Sequence, residues 1–321
     1  MLKFPLIKEE IYVESENLLK QYQCPKIAIT DSKILLSKIF KIGLRFKLII
    51  LPDHYYVPVS NILELNKDRS WQKKSNLVGI QINLEQQIAN IRKIVLPFKE
   101  EYKKGDLYNK AIKLNAGPGY GVIEAQALYG VVKYYSPKKI IEIGSGVSTY
   151  IMLNAGAKNI ICIEPYPSNF LKNNTNLNLI KKKLQHCDEK VFEDLSYGDF
   201  LFIDSTHALK IGSDVSKIYL DIIPKLKPGV IIHIHDIFFP YNFQRDANNT
   251  MFQWLETQML QALLVNNSKI EILFCMSHLH YEHPNELKKI FPMYEPQKDY
   301  EGISLNKNRG FFPSSIYLIT K

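Results

Sequence analysis

Four side chains in the second half of the chain have the types and spacing for proton and metal chemistry. Asp204 and His207 lie three residues apart, and His235 and Asp236 come 31 and 32 residues beyond Asp204. An imidazole titrates near neutrality and can take a proton from a hydroxyl. Two aspartates can instead hold a Mg²⁺ ion that lowers the pKa of a bound hydroxyl. In the first scheme His207 is the general base, and Asp204 and Asp236 orient it or the substrate. In the second, Asp204 and Asp236 hold Mg²⁺ while His207 still removes the proton. His235, a softer ligand than magnesium prefers, stands where another oxygen donor would suit that scheme. As plain structure, His207 would cap a helix and His235 would pack at a strand end.

A second group points to a ligand. Glu142-Ile143-Gly144-Ser145-Gly146-Val147-Ser148-Thr149 closes an apolar run, and Glu164 closes another 22 residues after Glu142. Glycines there let a ligand approach the backbone at a helix start. Ser148 or Thr149 replaces the third glycine of a dinucleotide fingerprint. A buried acid at Glu142 would repel a pyrophosphate but could hold an ammonium, and Glu164 could accept from ribose hydroxyls. The pair suits a nucleoside that carries an amino acid and speaks against a nicotinamide dinucleotide.

These residues need strands to end beside one another. Apolar runs predict strands at 139–143, 159–163, 183–187, 200–203 and 230–235, with helices over 122–135, 151–155, 171–179 and from Ser213 to about 225. A helix over 250–265 and late strands at 269–274 and 315–320 complete the pattern. Strands alternating with helices imply a doubly wound, mostly parallel α/β sheet, which binds ligands at the carboxyl ends of its strands. The first third is different. Residues 34–51 read as a helix and then, after Gly43, a strand; 86–102 suggests a helix interrupted at Pro97, and 100–106 a linker. The expected division is an N-terminal α+β extension or substrate cap at 1–105 and a sheet domain at 106–321.

IIEIGSG, CIEPYP, DFLFIDSTH and LKPGVIIHIHDIF together resemble the class I methyltransferases that use S-adenosylmethionine. Among them they are most similar to the bacterial subgroup with D-x-x-H after strand four and HD after strand five, a methyltransferase domain 24-like pattern. GPGYGVIEAQALYGVVKYYSPKK, HYYVPVSN, SNLVGIQIN and WLETQMLQALLVNNSKIEIL extend the similarity over roughly residues 50–321. The resemblance implies a Rossmann-like fold and S-adenosylmethionine as cofactor. It implies that Gly144, Ser145, Gly146 and Ser148 cradle the methionine part, with Glu142 near its amino group and Glu164 on the ribose. Asp188 would contact adenine, Tyr120 would close over the methionine end, and Asp204 would border the cofactor. His207, His235 and Asp236 would serve catalysis, with Mg²⁺ at Asp204 and Asp236 as the metal-dependent variant. Transfer to a hydroxyl of a small molecule or glycan is the expected reaction. A methyltransferase for RNA or protein, or a non-catalytic cofactor-binding protein, is the alternative.

Composition narrows the setting. With 321 residues, 46% of them hydrophobic and 23% charged, the chain can bury a sizeable core. The net charge of +9 hints at nucleic acid, but 18 Lys/Arg against 11 Asp/Glu fall in residues 1–105, and 23 against 21 in 106–321. Only five of the 41 cations are arginine, so bidentate phosphate recognition is not favoured. Lys38, Lys41, Arg45 and Lys47 among apolar residues could instead meet a membrane surface, or simply lie on a packed helix. No charge-free 18-residue stretch predicts a membrane span. Charges at residues 8–10 argue against a signal peptide, and four scattered cysteines suit a cytoplasmic setting. A homo-oligomer is compatible with all of this. His54, Tyr56, Trp71, Phe239, Tyr241 and His278 are the expected substrate wall. His278, His280 and His283 form an H-x-H-x-x-H set that could bind zinc or make a polar loop.

Overall fold

The computed structural model describes residues 29–117, 119–244, 247–249, 252–295 and 312–321. Readings that concern residues 1–28, and the start of the helix expected over 250–265, lie outside the described residues.

Seven strands form one sheet: β1 Ile140–Ile143, β2 Ile160–Ile163, β3 Leu177–Ile180, β4 Phe200–Ile203, β5 Ile231–Ile234, β6 Ile270–Cys275 and β7 Ile316–Thr320. Their order is β3-β2-β1-β4-β5-β7-β6. The first five pair in parallel, and β7 runs antiparallel between β5 and β6. This is the doubly wound α/β sheet expected. β1, β4 and β5 are buried at every position, so they read as the unbroken runs IIEI, FLFI and IIHI rather than alternating. Ile123, Ile140, Phe200 and Phe202 belong to the core on one face; Ile141, Ile143, Leu201 and Ile203 belong to the other. The order reverses between β1 and β4, and a crevice opens at that reversal.

The helix Val122–Tyr135 lies where its apolar spacing puts it, buried from Val122 through Val132. Ser213 caps the next turn by accepting from the Ser216 amide. Two expectations fail around β3. The segment expected as a helix over 171–179 is helical only at Asn169–Asn173 and then forms β3. The alternation of Leu177 and Leu179 with Asn178 is a strand period, and the Asn-rich NNTN before it cannot sustain a helix. Residues Leu184–His186, expected within a strand, make a short 3-10 turn.

Contacts divide the chain into Met1–Asn61 and Ile62–Lys321, so the second compact unit begins well before the expected boundary near 105. Residues 84–113 belong to it. Gln87 of the helix Leu84–Ile94 accepts from the Cys275 amide through its side-chain oxygen, and Ile91 is fully buried. The expected linker is likewise packed: Tyr102 is buried, donates to the Ile290 carbonyl, and its own carbonyl accepts from Gln126. In the first unit the helix Ile29–Arg45 ends in a turn, where the Phe46 and Leu48 amides donate to the Gly43 carbonyl. The strand expected after Gly43 does not form; residues 46–51 are exposed, so no sheet partner fixes them. Among the described residues no helix is long and apolar enough to cross a membrane.

Candidate active site

The site is assembled by the loops at the carboxyl ends of β1, β2, β4 and β5. After β1, Gly144 takes φ +76°, and a Cβ there would come within 1.9 Å of the Asp204 carbonyl oxygen. Only glycine lets the β1 loop pass so close to the end of β4. Gly146 sits tight against residues 116–117, its added Cβ 3.1 Å from the Ala116 carbonyl. The Ser145 amide donates to Glu164 at 3.3 Å and the Tyr166 amide at 2.7 Å, which fixes the Glu164 carboxylate at the end of β2. Beside these groups lies a cavity of about 500 Å³, lined by Gly144, Glu164, Asp204, Thr206 and Gln185 among others. Its size falls within the range of small-molecule sites.

Next to it, four expected residues converge. Asp204 Oδ1 is 3.3 Å from His207 Nε2 and 3.3 Å from His235 Nδ1. Asp236 Oδ2 is 3.5 Å from His207 Nε2 and 3.6 Å from His235 Nδ1. Both His207 (φ +57°) and Asp236 (φ +54°) occupy the left-handed region, a strained conformation that concentrates at functional sites. The outer ring nitrogens face carboxylates that the sequence did not single out. His207 Nδ1 meets Glu256 at 2.7 Å, and His235 Nε2 meets Glu124 at 2.7 Å. Glu124 also accepts from the Ser314 amide and the Ser315 hydroxyl, and Asp236 accepts from Ser314 Oγ at 2.8 Å, so the start of β7 braces the group.

Charge compensation governs the protonation of this cluster. Burial alone would lower His207, but its bonds to Asp204 and Glu256 outweigh that and hold it up at about 10. His235, also opposed by burial, is held well above the usual imidazole value by Asp236, Glu124 and Asp204. Burial would raise Asp204, yet the two imidazoles keep it well below the ordinary carboxylate range. His207 thus lies where expected, with carboxylates within 3.5 Å of both of its ring nitrogens.

The remaining candidates scatter. Glu142 is fully buried and accepts from Thr149 Oγ1 at 2.6 Å and Ser148 Oγ at 2.7 Å. Burial pushes its carboxyl up to about 7 against those bonds. With its oxygens spent on the helix Val147–Asn154, it ties that helix to β1, and Ser148 does the same from the other side. Asp188 is exposed and accepts from the Lys190 amide; Leu184 and Gln185 line the cavity in its place, because β3 ends earlier than expected. Tyr120 is buried with its ring 5.1 Å from that of His235.

The expected substrate residues fall in different surroundings. Phe239 is completely buried in the core and so cannot meet a substrate. Tyr241 is buried against the Tyr281 ring, and Trp71 donates to the Leu65 carbonyl. His54 and Tyr56 belong to the first unit, where they cluster with Tyr55. His278 and His280 are buried neutral, each pushed down to about 4 chiefly by burial, and His280 Nδ1 pairs with the Tyr294 hydroxyl. Among the described residues the H-x-H-x-x-H set does not bring three ligand atoms together, whereas ligand atoms of Asp204, His207 and His235 lie within 4.8 Å of one another.

Magnesium is a poor match for that group. It prefers an octahedral shell of oxygens and retained waters, while this site turns two imidazole nitrogens inward.

The chain is similar to several known proteins. An uncharacterized protein of Archaeoglobus fulgidus is 29% identical over 161 residues, covering 45% of this chain and 72% of that protein. An O-methyltransferase from Bacillus cereus solved in complex with SAH is similar at 14% identity and a TM-score of 0.39, covering 73% of this chain and 96% of that one. A DUF574 family protein from Streptomyces avermitilis is similar at 10% identity and a TM-score of 0.37, covering 74% and 97%. The stretch from residue 141 to 237, which holds Gly144, Glu164, Asp204, His207, His235 and Asp236, matches the methyltransferase domain family.

Proposed function

We propose that the second unit transfers a methyl group from S-adenosylmethionine to a hydroxyl of a small-molecule or glycan acceptor. The observation that carries this reading is the cavity between Gly144, Glu164 and Asp204, opening beside the buried Asp/His cluster within the segment that matches the methyltransferase domain. The residues suit the cofactor. Glu164 offers a carboxylate at the end of β2 for ribose hydroxyls, and the glycine loop leaves room for close approach. When bound, S-adenosylmethionine supplies a sulfonium methyl as the electrophile. Asp204 borders the cavity and also touches the cluster, so an acceptor held at the cluster would lie next to a cofactor in the cavity. Much of the rate in such a displacement comes from in-line positioning, and His207 and Asp236, with strained backbones and braced side chains, are suited to hold an acceptor. Asp204 and Asp236 present oxygens toward which an acceptor hydroxyl can donate.

Incubation with methyl-labelled cofactor and a panel of hydroxyl-bearing sugars and phenols, resolved by mass spectrometry, tests the reading. Label on an acceptor oxygen is expected. Label recovered on nitrogen or carbon would replace the hydroxyl assignment.

A further inference from the structure

The first unit carries a surface for which methyl transfer has no use. Between residues 34 and 56 only Gly43 is buried. Of the 25 exposed large hydrophobic side chains among the described residues, 13 lie between Ile34 and Val59. Apolar surface concentrated in this way marks a place where something else docks. Charge on the same stretch has one sign. Lys33, Lys38, Lys41, Arg45 and Lys47 fall between residues 32 and 52, with no acid among them. On the helix Ile29–Arg45, the three- and four-residue spacing of Lys38, Lys41 and Arg45 sets them in one stripe. Ile34 continues that stripe, and Leu35 and Ile42 lie beside it, all of them exposed. The turn that follows leaves Phe46 and Ile49 each 72% exposed. Beyond it the rings of His54, Tyr55 and Tyr56 gather with centroids 4.1 to 5.2 Å apart, on the outside of the chain.

We propose that residues 34–56 form a docking surface for a lipid bilayer that carries anionic headgroups. A second copy of the same face would set cation against cation. A nucleic acid would pair the cations but leave the aliphatic side chains in water. An anionic bilayer satisfies both halves of the pattern. Its headgroups take the charges of Lys38, Lys41 and Arg45, whose long stems can lie along apolar surface while their ends stay wet. Ile34, Leu35, Ile42, Phe46 and Ile49 enter the boundary of the acyl chains, as the apolar side of an interfacial helix does. Tyrosine rings settle at the level of the headgroups, which suits Tyr55 and Tyr56.

The test is cosedimentation of the whole chain with vesicles, without cofactor or acceptor, so its result is independent of methyl transfer. Wild type should pellet with vesicles of equal parts phosphatidylglycerol and phosphatidylcholine and stay in solution with phosphatidylcholine alone. Added salt should release it. Lys38→Gln, Lys41→Gln and Arg45→Gln together should weaken binding about 100-fold. Phe46→Ser with Ile49→Ser, which keeps every charge, should weaken it at least about tenfold. All five side chains are exposed, so the thermal transition of each variant should match that of wild type. Folded wild type that stays in solution with the anionic vesicles, as it would if residues 1–28 or a second copy covered the surface, would overturn the proposal. Equal binding to both kinds of vesicle, or unchanged binding by either folded variant, would overturn it as well.

Discussion

His207 and His235, at the ends of β4 and β5, are each met by carboxylates on both ring nitrogens. His278 and His280, on the helix Met276–Glu282, are as deeply buried but have no ion-pair partner among the described residues. The first two are pushed up in pKa and the second two down. Burial is common to both pairs and lowers all four imidazoles. The neighbours decide the outcome. A buried histidine that has carboxylates at hand is a charged part of a site, and one that lacks them behaves as a neutral core residue.

The sharpest way to break this comparison is to remove one carboxylate. Glu124→Ala leaves His235 without its outer partner and the Ser314 amide and Ser315 hydroxyl without their acceptor. It should cost about 3–5 kcal/mol in urea unfolding, the range for breaking one side of a buried pair. His280→Phe removes only a neutral ring beside Tyr294 and should cost clearly less. Equal losses would mean that the two histidine groups are energetically alike.

A pH scan sharpens the comparison further. His278 and His280 have folded pKa values below the unfolded value near 6.5, so the folded state binds fewer protons. Their contribution is complete above about pH 6.5 and is lost as pH falls toward about 4, at up to about 1.4 kcal/mol per pH unit for each fully responding group. His280→Phe should flatten that slope. Glu142 has the opposite sign, since its folded pKa near 7 lies above the ordinary carboxyl value of 4.5. Its stabilising contribution is present at acidic pH and is lost as pH rises from about 4.5 through about 7. Glu142→Gln should remove that decline while keeping hydrogen-bonding capacity for Ser148 and Thr149. Slopes left unchanged between about pH 4 and 7 in both variants would contradict these assignments. The smallest expected effect is at Asp188: as an exposed residue outside the cavity lining, its change to Ala should leave cofactor affinity unchanged within about twofold, or ~0.4 kcal/mol.

Much of the fold is legible in the sequence where strands are buried on both faces. IIEI, FLFI and IIHI announce β1, β4 and β5, and the residue that follows each run (Gly144, Asp204 and His235) marks the crevice. β3 is hard to place because four residues of mixed Leu and Asn give a weak signal, and the expected role of Asp188 shifts with it. Glu124 and Glu256 escape for a different reason. Each sits on a helix, and a single acid on a helix is ordinarily solvated. The signal available for Glu124 is its place inside the otherwise apolar VIEAQALYG, where a helix buried on most sides leaves a charge no route to water. Glu256 has no comparable mark. The H-x-H-x-x-H spacing misleads because spacing alone carries no information about partners. Phe239 and Tyr241 mislead because an aromatic near an expected cleft is more often core.

Isothermal titration with S-adenosylmethionine and its demethylated product tests the central claim most directly. Wild type should bind both at one site per chain, and Glu164→Ala should weaken binding at least about tenfold, or ~1.4 kcal/mol, while Asp188→Ala and His280→Phe do not. A folded wild type that binds neither ligand, or a Glu164→Ala protein that binds as well as wild type, would contradict the placement of the cofactor at the ends of β1 and β2.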